Sequence, residues 1–137
     1  MQTGLFKYTT TPALEQVIYF SESRQAALQG NIANISTPNY IARDYDVEGF
    51  QAELREAIEE KKNPALFRNP VEEKEGKVHR IAGLADDQRA ILRHDNNFLS
   101  VETQVTEMQK TYMMHNTALQ LMKHQFQLLQ DAIMQTR

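Results

Sequence analysis

An apolar repeat dominates the C-terminal part of the chain. Val101, Val105, Met108, Tyr112, His115, Leu119, Met122, Phe126, Leu129 and Ile133 follow one another at alternating spacings of four and three, and nine of the ten are apolar or aromatic. That spacing keeps one narrow stripe turned toward a partner helix. No glycine or proline interrupts it. A helix over 101–137 spans roughly 55 Å at about 1.5 Å per residue, more than a small domain is wide. Its stripe therefore needs a long partner, from the same chain or from other molecules.

A second repeat lies near the N-terminus. Thr11 is placed to cap a helix, and Pro12 suits the first helical position, where its missing N–H costs nothing. Leu14, Ile18, Ser21, Gln25, Leu28, Ile32 and Ile35 then alternate by four and three, with Ser21 and Gln25 as a polar patch. Pro38 disfavours helical geometry at Thr37, so the helix is expected to stop near Ser36-Thr37. Thr37-Pro38-Asn39-Tyr40 reads as a type II turn, which needs a positive φ at Asn39. Residues 46–62 fit a short amphipathic helix with Phe50, Leu54, Ala57 and Ile58 inward, ended by Lys61-Lys62-Asn63-Pro64. Residues 63–97 are punctuated by Asn-Pro pairs and glycines; 78–81 and 90–92 read either as short strands or as unstructured chain. Asn97 or Ser100 is the expected cap of the last helix.

These readings predict a mainly α protein. Long N- and C-terminal heptad helices pair as a coiled coil around a short charged middle segment that is partly disordered or small-β. The expected divisions are 1–43, 44–97 and 98–137. The charge distribution agrees: residues 44–100 hold 9 of the 15 basic and 13 of the 18 acidic side chains, leaving both ends nearly neutral. A net charge of −3 excludes a basic nucleic-acid footprint. Cysteine is absent, so neither disulfides nor thiolate chemistry operate. No run of about 18 apolar residues marks a membrane span. Residues 1–7 lack the basic-then-apolar layout of a cleaved signal, so the chain is expected to stay in the cytoplasm or to leave it without one.

Catalytic chemistry has little support. His115 and His124 are nine apart and do not share a helical face as metal ligands would; His79 and His94 lie in the unpatterned segment. His115 reads as a polar interruption that fixes register. Asp44 and Asp46 lack the further ligands of a calcium loop and read as turn caps. Glu59-Glu60 and Glu72-Glu73-Lys74-Glu75 are solvated charge runs, and Tyr112, Met113 and Met114 suit packing. No phosphate loop, nucleophile elbow or His-Glu-x-x-His is present. No enzyme activity, cofactor, metal or small-molecule substrate is expected.

Asn31, Ile32, Ala33, Asn34, Thr37, Pro38 and Tyr40 match a pattern of the form Asn-Ile-Ala-Asn-x-x-Thr-Pro-Gly-Tyr. The segment resembles the N-terminal signature of the bacterial flagellar axial proteins, the family of rod, hook and hook-associated subunits. Asn39 departs from the family glycine in the direction the turn tolerates. Ala42-Arg43-Asp44 and His94-Asp95-Asn96-Asn97 are similar to continuations in the short proximal rod members, although a glycine and a valine usual near the latter are missing. The resemblance implies a structural subunit of the basal-body proximal rod, exported unfolded through the flagellar type III apparatus without signal cleavage. Such subunits assemble in the periplasm, through terminal helices, with copies of themselves, sister rod subunits and the basal-body ring. It also implies that Leu5 and Phe6 fall where export-gate contacts are expected, with simple packing as the alternative. The expected assembly surface comprises Leu14, Ile18, Leu28, Ile32 and Ile35 with the apolar members of the C-terminal stripe. Asn31 and Asn34 share a helix face, either toward solvent or toward a neighbouring chain's backbone. The alternatives are a cytoplasmic coiled-coil adaptor or export chaperone and, behind it, a small helical-bundle enzyme.

Overall fold

The computed structural model describes residues 10–62, 91–93 and 100–135. Along them run α1 (Thr11–Ala33), β1 (Ala42–Asp44), α2 (Val47–Lys62), β2 (Ile91–Arg93) and α3 (Val101–Gln135). The protein is mainly α. Helices α1 and α3 pack antiparallel, since Thr11 meets Gln125, Arg24 meets Thr111 and Asn31 meets Gln104.

Helix α1 begins with proline in its first turn, and Thr10 is its cap residue. The Thr10 carbonyl accepts the N–H groups of Ala13 and Leu14, each at 3.1 Å. Thr11 is not the cap. It lies inside the helix, buried, and its hydroxyl donates to Gln125 Oε1 at 3.3 Å. The helix stops at Ala33, short of Ser36-Thr37. There the Asn34 side chain donates to the Gly30 carbonyl at 2.9 Å, and the Asn34 backbone N–H reaches the same oxygen at 3.2 Å. A short amide that bonds the carbonyl four residues back offers the chain an early exit from the helix. The turn follows as expected: Tyr40 N–H donates to the Thr37 carbonyl at 3.3 Å, and Asn39 has a φ of 59°.

The strand expected at 90–92 occurs at Ile91–Arg93, but its partner is Ala42–Asp44; residues 78–81 lie outside the described residues. The pairing is antiparallel, with Ala42 opposite Arg93, Arg43 opposite Leu92 and Asp44 opposite Ile91. Alternate residues of such a ladder aim their backbone groups at opposite edges. Arg43 turns its N–H and C=O away from β2, and both meet the side chain of Asn31. That amide docks on the far edge of β1 as a further strand would.

Helix α2 starts on an Asp46 cap, whose carboxylate accepts Gly49 N–H at 3.0 Å. A Cβ on Gly49 would stand 2.5 Å from Asp46 Oδ2, so glycine is what lets the cap approach. Asp46 thus fills its expected role. Phe50 and Ala57 are buried as expected, with Leu54 and Ile58 half-buried. The Phe50 ring stacks on Phe20 of α1, with centroids 4.0 Å apart and planes 5° from parallel. Tyr45 meets Phe20 edge-on at 6.0 Å, and Val17, Val47, Leu54 and Met114 close the cluster. Helix α3 is capped by Ser100, whose hydroxyl accepts Thr103 N–H at 3.3 Å; Asn97 lies outside the described residues.

Candidate assembly surface

The seam between α1 and α3 is built from polar and small side chains at seven-residue intervals. Gln104, Thr111 and Ala118 are the buried residues of α3, and Gln125 stands seven residues further on. Asn31 and Arg24 on α1 and Thr10 at its cap stand opposite Gln104, Thr111 and Gln125. Three of these four layers are hydrogen-bonded. Asn31 Nδ2 donates to Gln104 Oε1 at 2.9 Å. Arg24 donates to the Thr111 hydroxyl at 3.0 Å. The Gln125 amide donates to the Thr10 hydroxyl.

Asn31 is completely buried and uses all its capacity. Its two N–H donors go to Arg43 O (2.7 Å) and Gln104; its oxygen accepts from Arg43 N–H (2.9 Å) and the Tyr40 hydroxyl (3.1 Å). Neither expectation for Asn31 holds: it faces neither solvent nor a neighbouring chain, because the chain's own backbone takes the amide. Asn34 caps α1 through its own amide, and the Thr37 hydroxyl meets its oxygen at 3.4 Å.

Asp44 has a larger role than turn capping. Although it accepts Tyr45 N–H at 2.8 Å, its carboxylate also takes a two-pronged ion pair from Arg24, at 2.8 and 3.1 Å. Arg24 reaches Glu107 Oε2 as well, at 2.8 Å, and Glu107 takes Lys110 at 2.7 Å. Burial works against the Arg24 charge, but the hydrogen bonds to Asp44 and Glu107 and their negative charges outweigh it and hold the guanidinium above its ordinary pKa. At Glu107 burial favours the neutral acid; Lys110 and Arg24 prevail and hold the carboxyl below the ordinary glutamate value. One turn of α1 away, the Ser21 hydroxyl donates to the Ile18 carbonyl at 2.8 Å and lies 3.0 Å from His115 Nδ1. The Ser21 hydroxyl and the His115 ring nitrogen thus share a hydrogen bond across the seam. The polar interruption expected at His115 thereby has its partner.

The two apolar stripes do not face each other across this seam. On α1 the buried line runs through Ala13, Gln16, Phe20, Arg24, Leu28 and Asn31; Leu28 is buried, whereas Leu14, Ile18, Ile32 and Ile35 are half-buried. On α3, Met108, His115, Met122 and Leu129 border the seam half-buried. Val105, Tyr112 and Leu119 are 39, 54 and 43% exposed, and Val101, Phe126 and Ile133 are exposed too. At about 100° per residue, α3 is turned roughly 50° from an orientation that would aim the stripe at α1. Phe50 and Met114 mark the side on which α2 packs; the stripe lies on the other side of the hairpin. The family-motif residues divide likewise. Asn31 is buried, Ile32, Asn34 and Tyr40 are half-buried, and Ala33, Thr37 and Pro38 are exposed.

The missed residues are Arg24, Gln104, Glu107 and Thr111, together with the ion-pair role of Asp44. For Arg24 the signal was a second four-three series, Ala13, Val17, Phe20, Arg24, Ala27 and Asn31, in which a lone arginine follows three apolar positions. Among the described residues no group of three or more acidic or histidine side chains is arranged to hold a metal ion. None of the described helices is long and apolar enough to cross a membrane. His124 is exposed, while His79, His94, Leu5 and Phe6 lie outside the described residues. Comparison of the chain with protein-family models, with curated proteins and with solved structures returns no match.

Proposed function

We propose that this chain is a structural, non-catalytic subunit of the proximal rod of the bacterial flagellar basal body, the rod member often called B. In this reading α1 and α3 pair as a coiled coil in the assembled rod. Copies of the chain and sister rod subunits cover the stripe, and the type III export apparatus delivers the chain to the periplasm, beside the basal-body ring. The observation that carries the proposal is the line of apolar side chains standing in solvent along α3. A contiguous exposed apolar strip of this length marks a surface meant to be covered by protein. The motif ending at Tyr40 adds support, because its asparagines, turn and tyrosine form one hydrogen-bonded exit from α1. Head-to-tail contacts between identical subunits that do not close into a ring would extend such a surface into a tube.

The test is incorporation into the rod in a motile host. Leu119→Asp and Phe126→Asp should each abolish incorporation and swimming, because a carboxylate would be sealed into an apolar contact. Deleting residues 70–85 should do less harm. A tagged copy should collect at the cell envelope where basal bodies form; a diffuse cytoplasmic signal would favour the adaptor or chaperone reading instead. Normal swimming by the aspartate variants would remove the stripe as an assembly surface.

A further inference from the structure

Helix α3 carries two overlapping four-three series that share Met108, His115, Met122 and Leu129. One is completed by Val105, Tyr112, Leu119 and Phe126, the other by Gln104, Thr111, Ala118 and Gln125. The members differ by one position, about 100° around the helix. Hydrophobicity alone would choose the first series for α1, because burying Tyr112 and Leu119 removes more apolar surface from water than burying Thr111 and Ala118. The molecule does the opposite: Thr111 is 1% exposed and Ala118 3%, against 54% for Tyr112 and 43% for Leu119.

We propose that the polar side chains of α1 facing α3 are orientation-setting residues, which hold α3 with its apolar stripe outward and so keep the stripe available for another molecule. Each pairs with one member of the polar series or draws the shared His115 inward: Asn31 with Gln104, Arg24 with Thr111, Ser21 with His115, Thr10 and Thr11 with Gln125. Turning α3 so that the stripe faced α1 would cost each of these groups its hydrogen bond to α3, and at the buried ones, Asn31, Arg24, Ser21 and Thr11, polar capacity left unused away from water costs more than a hydrogen bond contributes. One polar residue in a helix seam is enough to choose among packings of similar apolar content; here the choice is repeated at four levels. The inference concerns the chain before it meets a partner. It holds whether that partner is a rod subunit or another protein.

The chain has no cysteine, so single cysteines report orientation cleanly. Leu119→Cys and Ala118→Cys are made separately, in the native background and in one carrying Thr10→Val, Thr11→Val and Ser21→Val, and labelled with a maleimide. In the native background Leu119→Cys should label fast and Ala118→Cys slowly. In the triple-valine background the ratio of the two rates should fall about tenfold or more, with helicity retained, as local exposure follows the turned helix. An unchanged ratio in the folded triple variant overturns the proposal. If circular dichroism shows that the triple variant has lost its helices, Ser21→Val alone, which leaves the Arg24 and Asn31 layers whole, is read the same way: a lower ratio supports the proposal and an unchanged one overturns it. Rod incorporation is scored separately. A turned helix with unimpaired incorporation would count against the rod reading of the stripe while leaving the orientation device intact.

Discussion

Helices α2 and α3 grip α1 by different physics. Toward α2 it presents Phe20, completely buried and stacked on Phe50, with Ala57, Val17 and Leu54 around them. Toward α3 it presents Asn31, Arg24, Ser21 and the threonines at its start, each matched to one atom or pair of atoms across the seam. The first contact is non-directional and grows with the area removed from water. The second contributes less per contact after desolvation but is exacting in geometry. The difference teaches that one side of α1 supplies cohesion and the other supplies orientation. Variants that separate those two duties are the sharpest tests of the description.

The largest expected loss of stability comes from the cohesive side. Phe20→Ala removes a ring that contacts Phe50 face-on and Tyr45 edge-on, and should cost about 3–5 kcal/mol. Thermal melting followed by circular dichroism measures it, and Phe20→Leu should recover most of the loss. On the orienting side Arg24→Ala should cost about 3 kcal/mol, because Asp44, with a side chain 2% exposed, is left buried without its counter-charge. The double variant Arg24→Met, Asp44→Leu should be milder than either single change, since it removes both charges. A double variant as unstable as the single ones would show that shape, and not charge, governs this layer.

Acid should loosen the same layer. The Glu107 carboxyl is held below its ordinary value of 4.5, so its ionised form is favoured more by the folded chain than by the unfolded one. The stability it contributes is complete above the unfolded pKa and is lost as pH falls through the lower, folded one. Arg24 is shifted upward, so its contribution is complete at every pH below the ordinary guanidinium value and plays no part in acid. The midpoint temperature should therefore decline below about pH 4.5, and Glu107→Gln should make that decline shallower. An equally steep decline in the glutamine variant would move the acid sensitivity to another carboxylate.

Much of this architecture was legible in the amino-acid order. Pro12, Pro38 and the uninterrupted repeat after residue 100 locate both long helices, and the positive φ of Asn39 follows from the turn that Pro38 imposes. The amphipathic spacing of Phe50, Leu54 and Ala57 locates α2. The rotation of α3 was hidden because its seam is marked by hydrogen bonding and not by hydropathy. Gln104, Thr111 and Gln125 leave no apolar period to detect, and their partners lie between 73 and 115 positions away in the chain. Strand β1 was hidden because it is three residues long and is held partly by a side chain, Asn31, outside any sheet.

Leu119→Asp should have the smallest effect on the hairpin and so tests the comparison most severely. Its side chain stands on the far side of α3 from α2 and is 43% exposed, where a carboxylate keeps its hydration. Surface changes of this kind shift stability by less than about 0.5 kcal/mol. A nearby cation, Lys123 at the next turn, partly offsets the added charge. Ala118→Asp, one position earlier, should cost several times as much, since Ala118 is buried against α1 at 3% exposure and a carboxylate there would lose its water without gaining a partner. Adjacent residues given the same substitution should thus separate into one that spoils folding and one that leaves folding untouched while spoiling assembly. Equal losses of melting temperature at the two positions would mean that α3 buries both faces, and the division between an orienting seam and an outward apolar stripe would fall with it.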